Sequence, residues 1–432
     1  MNALDTFIAW PLGVRCALVA LAGLMTGAVV NWATYSLAYH PTYLSPWSRR
    51  HPRDAASSLL DRLPIIGWRR LRRREGQERF PVGFWVRPLT VEAGCAAGFV
   101  AWYWYVAVTG GLLYPRIAPG IIAFNPELSL VLHAECAAQL TLFAFMLAAS
   151  LIDLDEWNIP DAITIPGTLL GVALLTWLPA QLPAFFDRRV MVVPLPLDAA
   201  MPFGWPPAWN AGQITSLLVA VGCLIGWCFA LLVGGRFPRL REGRRRYAVA
   251  FRLFLRRILR DPAAPWTVAV GIAGSAAVYG VWKFAPTHWY ALLSSLLGLA
   301  GGGAMVWAVR ILGGWAFQKE AMGFGDVTLM AMIGAFIGWQ PTLLVFFAAP
   351  VAALVIYVPA LIFRRHEELP YGPYLCVSTL GVLWLWGPIW DWSEPRFEVA
   401  WIVPTVLLIG FPLYGVLRML VLKLRSRPAK SD

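Results

Sequence analysis

The chain has 432 residues, of which 59% are hydrophobic and only 14% are charged. Soluble globular proteins are roughly 45–50% apolar and about 25% charged, so this composition excludes an ordinary soluble enzyme. The 23 tryptophans and the net charge of +12 fit a polytopic membrane protein, because indole rings favour membrane interfaces and basic residues favour cytoplasmic loops.

Apolar stretches long enough to cross a bilayer, which takes roughly 20 residues of helix, recur along the chain. In chain order the predicted spans cover residues 14–36, 91–113, 129–152, 163–183, 213–234, 266–284, 289–312, 341–363, 373–391 and 398–420, with a shorter segment at 327–339. The short segment has the length of a re-entrant turn packed within protein. We therefore predict an all-α polytopic membrane fold with about eleven transmembrane or re-entrant helices.

Arginines and lysines gather in blocks between these spans, at residues 49–87, 236–260, 364–365 and 418–430. Placing the N-terminus outside puts every block on the cytoplasmic side, as the positive-inside rule requires. We therefore expect a multi-pass protein of the cytoplasmic (inner) membrane. For the second block we favour a role only in orienting the protein in the membrane. The alternative is that it binds anionic lipids or an assembly ATPase. No nucleic-acid partner is expected, because no DNA- or RNA-binding motif accompanies the arginines.

Two patterns inside the spans have competing explanations. Gly298 with Gly302, and Gly334 with Gly338, form G-x-x-x-G spacings that allow close helix approach, and ordinary glycine usage in membrane helices explains them equally well. Glu135 is expected to face the bundle interior and pair there, rather than to bind a metal with its neighbours.

Carboxylates at the edges of apolar segments are the informative residues in such a chain. The stretch 152–161, called the acidic box below, reads Ile-Asp-Leu-Asp-Glu-Trp-Asn-Ile-Pro-Asp at the end of a span. The stretch 319–327 reads Lys-Glu-Ala-Met-Gly-Phe-Gly-Asp-Val and opens the short apolar segment. Asp326 as a helix N-cap and Asp153 as a solvated acid are the structural alternatives. Both aspartates are nevertheless predicted at the same depth and on the same side of the membrane.

Two aspartates brought together at one depth have a definite chemistry. Like charges a few ångströms apart cannot both ionise, so the pair shares a proton. One carboxylate then acts as general base on an attacking water, while the protonated partner donates to the scissile carbonyl oxygen. Glycines on both sides of Phe324 suit such a site, because they permit unusual dihedral angles and the close approach of a peptide.

At these residues the chain resembles the prepilin peptidases, the type IV leader peptidase family of aspartic membrane proteases. The similar segments, in family order, are 27–35, 63–68 with 87–92, the acidic box, 323–329 with 334–340, and 370–375. The resemblance implies that Asp153 and Asp326 are the catalytic aspartates, located at the cytoplasmic edge of the membrane. The residues given a supporting role are Asp161, Lys319, Glu320, Gly323 and Gly325.

The resemblance also implies an activity. Such an enzyme removes the leader peptide of type IV prepilins or type II secretion pseudopilins on the cytoplasmic face and needs no cofactor for proteolysis. Many members also methylate the new N-terminus with S-adenosylmethionine, an activity tied to the first cytoplasmic loop. The alternatives are a non-proteolytic scaffold or transporter that retains the fold, and a G-x-G-D protease with other membrane substrates.

The chain departs from the family pattern in two ways. Residues 40–52 contain no cysteine, whereas many members carry two C-x-x-C pairs in this loop, so we predict no metal site. Asp326 follows Asp153 by 173 positions, longer than the family usually allows, which indicates an insertion at about 184–288.

The spans, loops and insertion divide the chain into six predicted segments. They are a first transmembrane helix (1–36), a basic cytoplasmic loop (37–90, called the first loop below), membrane helices with the first aspartate motif (91–183), an insertion of outer loop, two extra helices and arginine-rich loop (184–288), membrane helices with the second motif (289–420) and a basic cytoplasmic tail (421–432).

Overall fold

A computed structural model describes residues 3–41, 45–47, 60, 63–70, 83–112, 122, 126–178, 207–234, 256, 260–317, 322–362 and 370–398. All regular structure in these residues is helical. Most of the second arginine block and, apart from its first residue, the predicted span at 398–420 lie outside the described residues.

The α-helices of the described residues are numbered here in chain order. They are α1 (Ala3–Ile8), α2 (Leu12–Ser36), α3 (Val86–Tyr103, extended by a π-helical turn to Val108), α4 (Pro126–Glu156), α5 (Asp161–Trp177), α6 (Ile214–Val233), α7 (Ala264–Phe284), α8 (Trp289–Phe317), α9 (Phe324–Ile337), α10 (Trp339–Ile362), α11 (Gly372–Trp384) and α12 (Trp386–Glu398).

The helices confirm the predicted class, an all-α polytopic membrane protein. Within the described residues, seven helices are long and apolar enough to cross a bilayer, namely α2, α3, α4, α6, α7, α8 and α10. Three more, α5, α9 and α11, are apolar but shorter. The number eleven itself stays a prediction.

One predicted span is broken in two. The segment predicted at 373–391 is α11 followed by α12, with Leu385 between them. Pro388 explains the break, because proline has no N–H to donate to the preceding turn and its ring crowds the carbonyl four residues before it. The chain therefore ends one helix and starts another rather than continuing straight.

Helix α9 lies at the centre of the protein, with every residue from Gly325 to Ile337 buried. It packs most extensively against α8 and next against α5. A Cβ atom on Gly298 of α8 would collide with the carbonyl oxygen of Gly334 of α9, and a Cβ on Gly334 would collide with that of Gly298. The two G-x-x-x-G patterns therefore bring two backbones into direct contact, and glycine usage alone does not explain them.

The first loop is fastened to the helices by a buried carboxylate, Glu92 of α3, which is 1% exposed. Its Oε1 accepts hydrogen bonds from Asn31 Nδ2 of α2 at 3.2 Å and from Trp68 Nε1 of the loop at 2.7 Å. Its Oε2 accepts one from the backbone N–H of Ile65 at 2.5 Å. A buried carboxylate needs such donors because burial removes its hydration. Glu92 thus ties the loop segment 63–70 to α2 and α3.

The expectation that Glu135 faces the bundle interior can be compared with the structure. Glu135 is 2% exposed and accepts a hydrogen bond from Gln139 Nε2 at 2.7 Å, which confirms that it faces inward and pairs there.

Helix α6, from the predicted insertion, packs against α8. A Cβ atom on Gly234 at its end would collide with the ring of Phe324. The helix from the predicted insertion therefore contacts the second aspartate motif directly.

Candidate active site

Asp153 lies in the last turn of α4 and is 4% exposed. Its Oδ2 accepts a hydrogen bond from the backbone N–H of Gly372 at 3.1 Å. This donor belongs to the first residue of α11, so the positive end of that helix dipole faces the carboxylate. The alternative that Asp153 is a solvated acid is wrong, because the side chain is buried.

Asp326 is the third residue of α9 and is 7% exposed. The N-cap of α9 is Gly323, so the alternative that Asp326 is itself the N-cap is wrong. Its carboxylate instead accepts a hydrogen bond from the backbone N–H of Gly323. This bond satisfies the N-cap amide in the way an acidic residue at the third helical position commonly does.

The two aspartates come from helices that are distant in sequence, yet they lie within electrostatic reach of each other. Both charges also act on the thiol of Cys376, which is on α11. The fold therefore brings together the two carboxylates that the sequence analysis singled out. Because both carboxylates are buried and close together, the state in which the pair carries one proton is favoured over the state in which both are ionised.

A single side chain packs against both the segment that carries Asp326 and the segment whose amide binds Asp153. Ile159, in the turn between α4 and α5, is 2% exposed. A Cβ atom on Gly325 would lie 2.8 Å from the Cβ of Ile159, and a Cβ on Gly372 would lie 2.9 Å from its Cδ1. Both glycines are needed because Ile159 occupies the space that their side chains would fill. We call this arrangement the Ile159 wedge.

The expected reason for the two glycines of the second motif needs correction. Gly323 has φ −67° and ψ 157°, which is ordinary extended backbone that any residue adopts. Gly325 lies within α9, and its role is to admit the Ile159 wedge. Close packing, rather than unusual dihedral angles, therefore explains the glycine at position 325.

Tyr371 lies beside the pair, at the N-cap of α11. Burial raises the pKa of its hydroxyl to about 12, and the negative charge of Asp326 acts in the same direction. The hydroxyl therefore stays protonated at neutral pH and can donate a hydrogen bond. The sequence analysis noted the segment 370–375 without assigning a role to Tyr371 or to the N–H of Gly372.

The predicted supporting residues are distributed differently. Asp161 is exposed at the first position of α5, where a carboxylate favours the positive end of a helix dipole. Lys319 and Glu320 lie outside the described residues. A cation that the sequence analysis missed is Arg310 of α8, whose guanidinium carbon lies 5.6 Å from the centre of the Phe324 ring and whose charge reaches Asp326.

Sequence comparison supports the resemblance for the part of the chain that carries Asp326. Residues 255–358 match the profile of the type IV leader peptidase family. This confirms the predicted family resemblance. The match begins within the predicted insertion and does not include the acidic box. No solved structure matches the chain.

Several characterised proteins are similar to the chain. A prepilin leader peptidase/N-methyltransferase of Aeromonas salmonicida is 31% identical over 100 residues, which is 22% of this chain and 33% of the relative. Its counterpart in Pseudomonas aeruginosa is 35% identical over 96 residues, 22% of this chain and 33% of the relative. Leader peptidase HopD of Salmonella typhimurium is 32% identical over 98 residues, 22% of this chain and 61% of that protein. The similarity thus spans about a third of the length of the first two relatives.

Proposed function

We propose that the chain is a membrane aspartic endopeptidase that removes the leader peptide from type IV prepilins or type II secretion pseudopilins at the cytoplasmic face of the inner membrane. The observation that carries this proposal is the pairing of two buried aspartates, Asp153 and Asp326, from different helices. The similarity of residues 255–358 to the leader peptidase family supports the same activity.

The pair supplies the groups that peptide hydrolysis requires. The ionised carboxylate takes a proton from a water molecule as its oxygen attacks the scissile carbonyl carbon, and the protonated carboxyl donates its proton to the carbonyl oxygen. The tetrahedral intermediate then breaks its C–N bond as the nitrogen receives the proton held by the first carboxyl, while a hydroxyl of the intermediate returns its proton to the second carboxylate and the carbonyl re-forms. Burial of both residues strengthens these electrostatic effects, since little water screens them.

Two neighbours orient this chemistry. The backbone N–H of Gly372 holds Oδ2 of Asp153 in place. The protonated hydroxyl of Tyr371 is available to donate to an oxygen that gains negative charge in the transition state. Neither group exchanges a proton with the substrate in this scheme.

Co-expression with a pilin-like precursor tests the proposal. Such a precursor has a basic leader, then a glycine and an apolar stretch with glutamate at its fifth position. Mass spectrometry of the recovered precursor is expected to show loss of the leader only when the full-length chain is present. Cleavage restricted to membrane proteins without such a leader would instead indicate a G-x-G-D protease of other specificity, and no cleavage would favour a scaffold.

Methylation of the new N-terminus is a second activity that the same spectrum would reveal. The first loop would have to bind S-adenosylmethionine, but its described residues do not provide a fitting site. The described residues of the loop include no Asp or Glu, and the carboxylates of the adjoining helices, those of Glu92, Asp155 and Glu156, already bind protein donors. We therefore assign no residue to the methyl donor. The cysteine-free stretch 40–52 also lacks the thiolates of a zinc site.

The Gly372→Ala variant is expected to cleave the precursor about 10- to 100-fold more slowly. The added Cβ would lie 2.5 Å from Oδ2 of Asp153, so the carboxylate must move and its hydrogen bond must lengthen. The rate is measured with purified protein in detergent. Gly381→Ala is the matched control, because it lies on the same helix with nothing within 4 Å of the added atom. Equal rates for both variants would exclude a role for Gly372 in holding Asp153.

A further inference from the structure

Two carboxylates of the acidic box bind the first loop. Glu156 accepts hydrogen bonds from the backbone N–H groups of Tyr39 and His40, at 2.8 Å each. Asp155 forms an ion pair of 2.9 Å with Arg87. Tyr39 and His40 lie at the start of the loop and Arg87 is the second residue of α3, which follows it, so the exit of α4 binds the chain at both ends of the loop.

Glu156 makes the stronger of the two attachments. The side chains of Arg87 and Asp155 are 40% and 43% exposed, and solvent screens such an ion pair until it contributes little. The bonds to Glu156 are exposed as well, but they join a carboxylate to two backbone amides, so they are charge-assisted and lose no side-chain entropy on the donor side. The position of the α4 exit therefore depends mainly on Glu156.

The turn that follows Glu156 leads directly to the aspartate pair. Trp157 has φ 58°, a left-handed conformation that a bulky residue adopts only when its surroundings impose it. The side chain of Asn158 hydrogen-bonds the hydroxyl of Tyr39. The next residue is Ile159, whose side chain forms the wedge against Gly325 and Gly372. Three residues thus connect the loop attachment to the segments that carry Asp326 and the amide donor of Asp153.

We propose that Glu156 is a positioning residue of the peptidase. By binding the start of the first loop, it holds the turn in which Ile159 sits. The Ile159 wedge in turn sets the spacing between the segment that carries Asp326 and the segment whose amide binds Asp153. This inference rests on the proposed function for its effect on rate, whereas the attachment itself is a property of the fold. It assigns the first loop a role in proteolysis that is separate from methyl transfer.

The kinetic test uses Glu156→Ala in the full-length chain. We expect kcat for a pilin-like precursor to fall about 10- to 100-fold with KM unchanged, because misplaced catalytic groups slow the chemical step without weakening substrate binding. Glu156→Gln keeps one acceptor oxygen and is expected to lose less. Leu154→Ala, which truncates a 44% exposed side chain on the same helix end, is the matched control.

A double-mutant cycle tests the route through the wedge. Ile159→Ala and Glu156→Ala are combined in one chain, and the loss of kcat is compared with the product of the two single losses. If Glu156 acts through Ile159, kcat of the double variant falls clearly less than that product. The Glu156 change can then no longer act through a side chain that has already been truncated. Independent, multiplicative losses would overturn the proposed route.

Amide hydrogen exchange provides a readout that does not need cleavage. The Glu156→Ala variant is expected to exchange faster at Tyr39 and His40, which lose their acceptor, and at Gly372, whose N–H is bonded to Asp153. Gly372 lies between Pro370 and Pro373, so few other amides contribute to the signal there. Unchanged exchange at Gly372 would show that the attachment does not reach the site.

The two readouts separate failure of this inference from failure of the proposed function. If the wild-type chain cleaves precursors and Glu156→Ala matches it in kcat, the positioning role is wrong. A rise in KM alone would mean that Glu156 binds substrate, which also overturns it. If the wild-type chain cleaves nothing, the proposed function fails. Amide exchange at Gly372 in the Glu156→Ala variant then still shows whether the loop attachment affects the site.

Discussion

Replacing either Asp153 or Asp326 with asparagine is expected to lower leader removal by about 10³-fold or more. An amide keeps the shape of the side chain, but it can neither take a proton from water nor share one with the partner carboxyl. Both variants should still fold, because an amide has nearly the shape of the carboxyl it replaces and carries no charge that would be costly to bury. The measurement is the initial cleavage rate of a pilin-like precursor, with thermal unfolding in detergent as the check on folding.

Asp261→Asn is the matched control for these two substitutions. Asp261 lies in the turn before α7, where its carboxylate accepts a hydrogen bond from the backbone N–H of Ala263 at 2.8 Å. Its loss should leave the cleavage rate unchanged. Normal processing by both the Asp153 and the Asp326 variants would reject the aspartate pair and favour a non-proteolytic scaffold.

The Gly334→Ala variant is expected to lower the free energy of unfolding by about 3 kcal/mol or more. The added Cβ would collide with the carbonyl oxygen of Gly298, and backbone cannot turn aside as a flexible side chain can. Helices α8 and α9 would have to separate, which opens the most extensive contact of the central helix. Since α9 also carries Asp326, cleavage should fall together with stability. Denaturant unfolding in detergent micelles measures the loss.

Gly301→Ala on α8 is the control for this packing. Nothing lies within 4 Å of the Cβ it would add, so the expected change in stability is small and favourable, as alanine is the better helix former. Similar stabilities of the Gly334 and Gly301 variants would show that the contact of α8 with α9 does not depend on backbone proximity.

The sequence by itself determined the class of fold and the two residues on which the proposal depends. Because the bilayer requires long apolar helices and charges avoid its core, hydropathy located the described helices to within a few residues at many of their ends. The same rule drew attention to carboxylates at the ends of apolar segments, and the resemblance to the leader peptidase family selected Asp153 and Asp326 among them. The apolar composition of residues 327–339 likewise predicts a short segment there, which corresponds to helix α9 (Phe324–Ile337).

Only the tertiary structure decided how those residues meet and what surrounds them. Contacts between residues far apart in the chain leave no periodic pattern, so neither the bond from Gly372 to Asp153 nor the Ile159 wedge could be read from spacing. The tertiary structure also decides which carboxylates of the acidic box are buried and which bind the first loop. Asp153 is buried in the protein whereas Glu156 binds the first loop, although residues three positions apart lie on the same helix face, because Glu156 is the last residue of α4, where the start of the first loop passes.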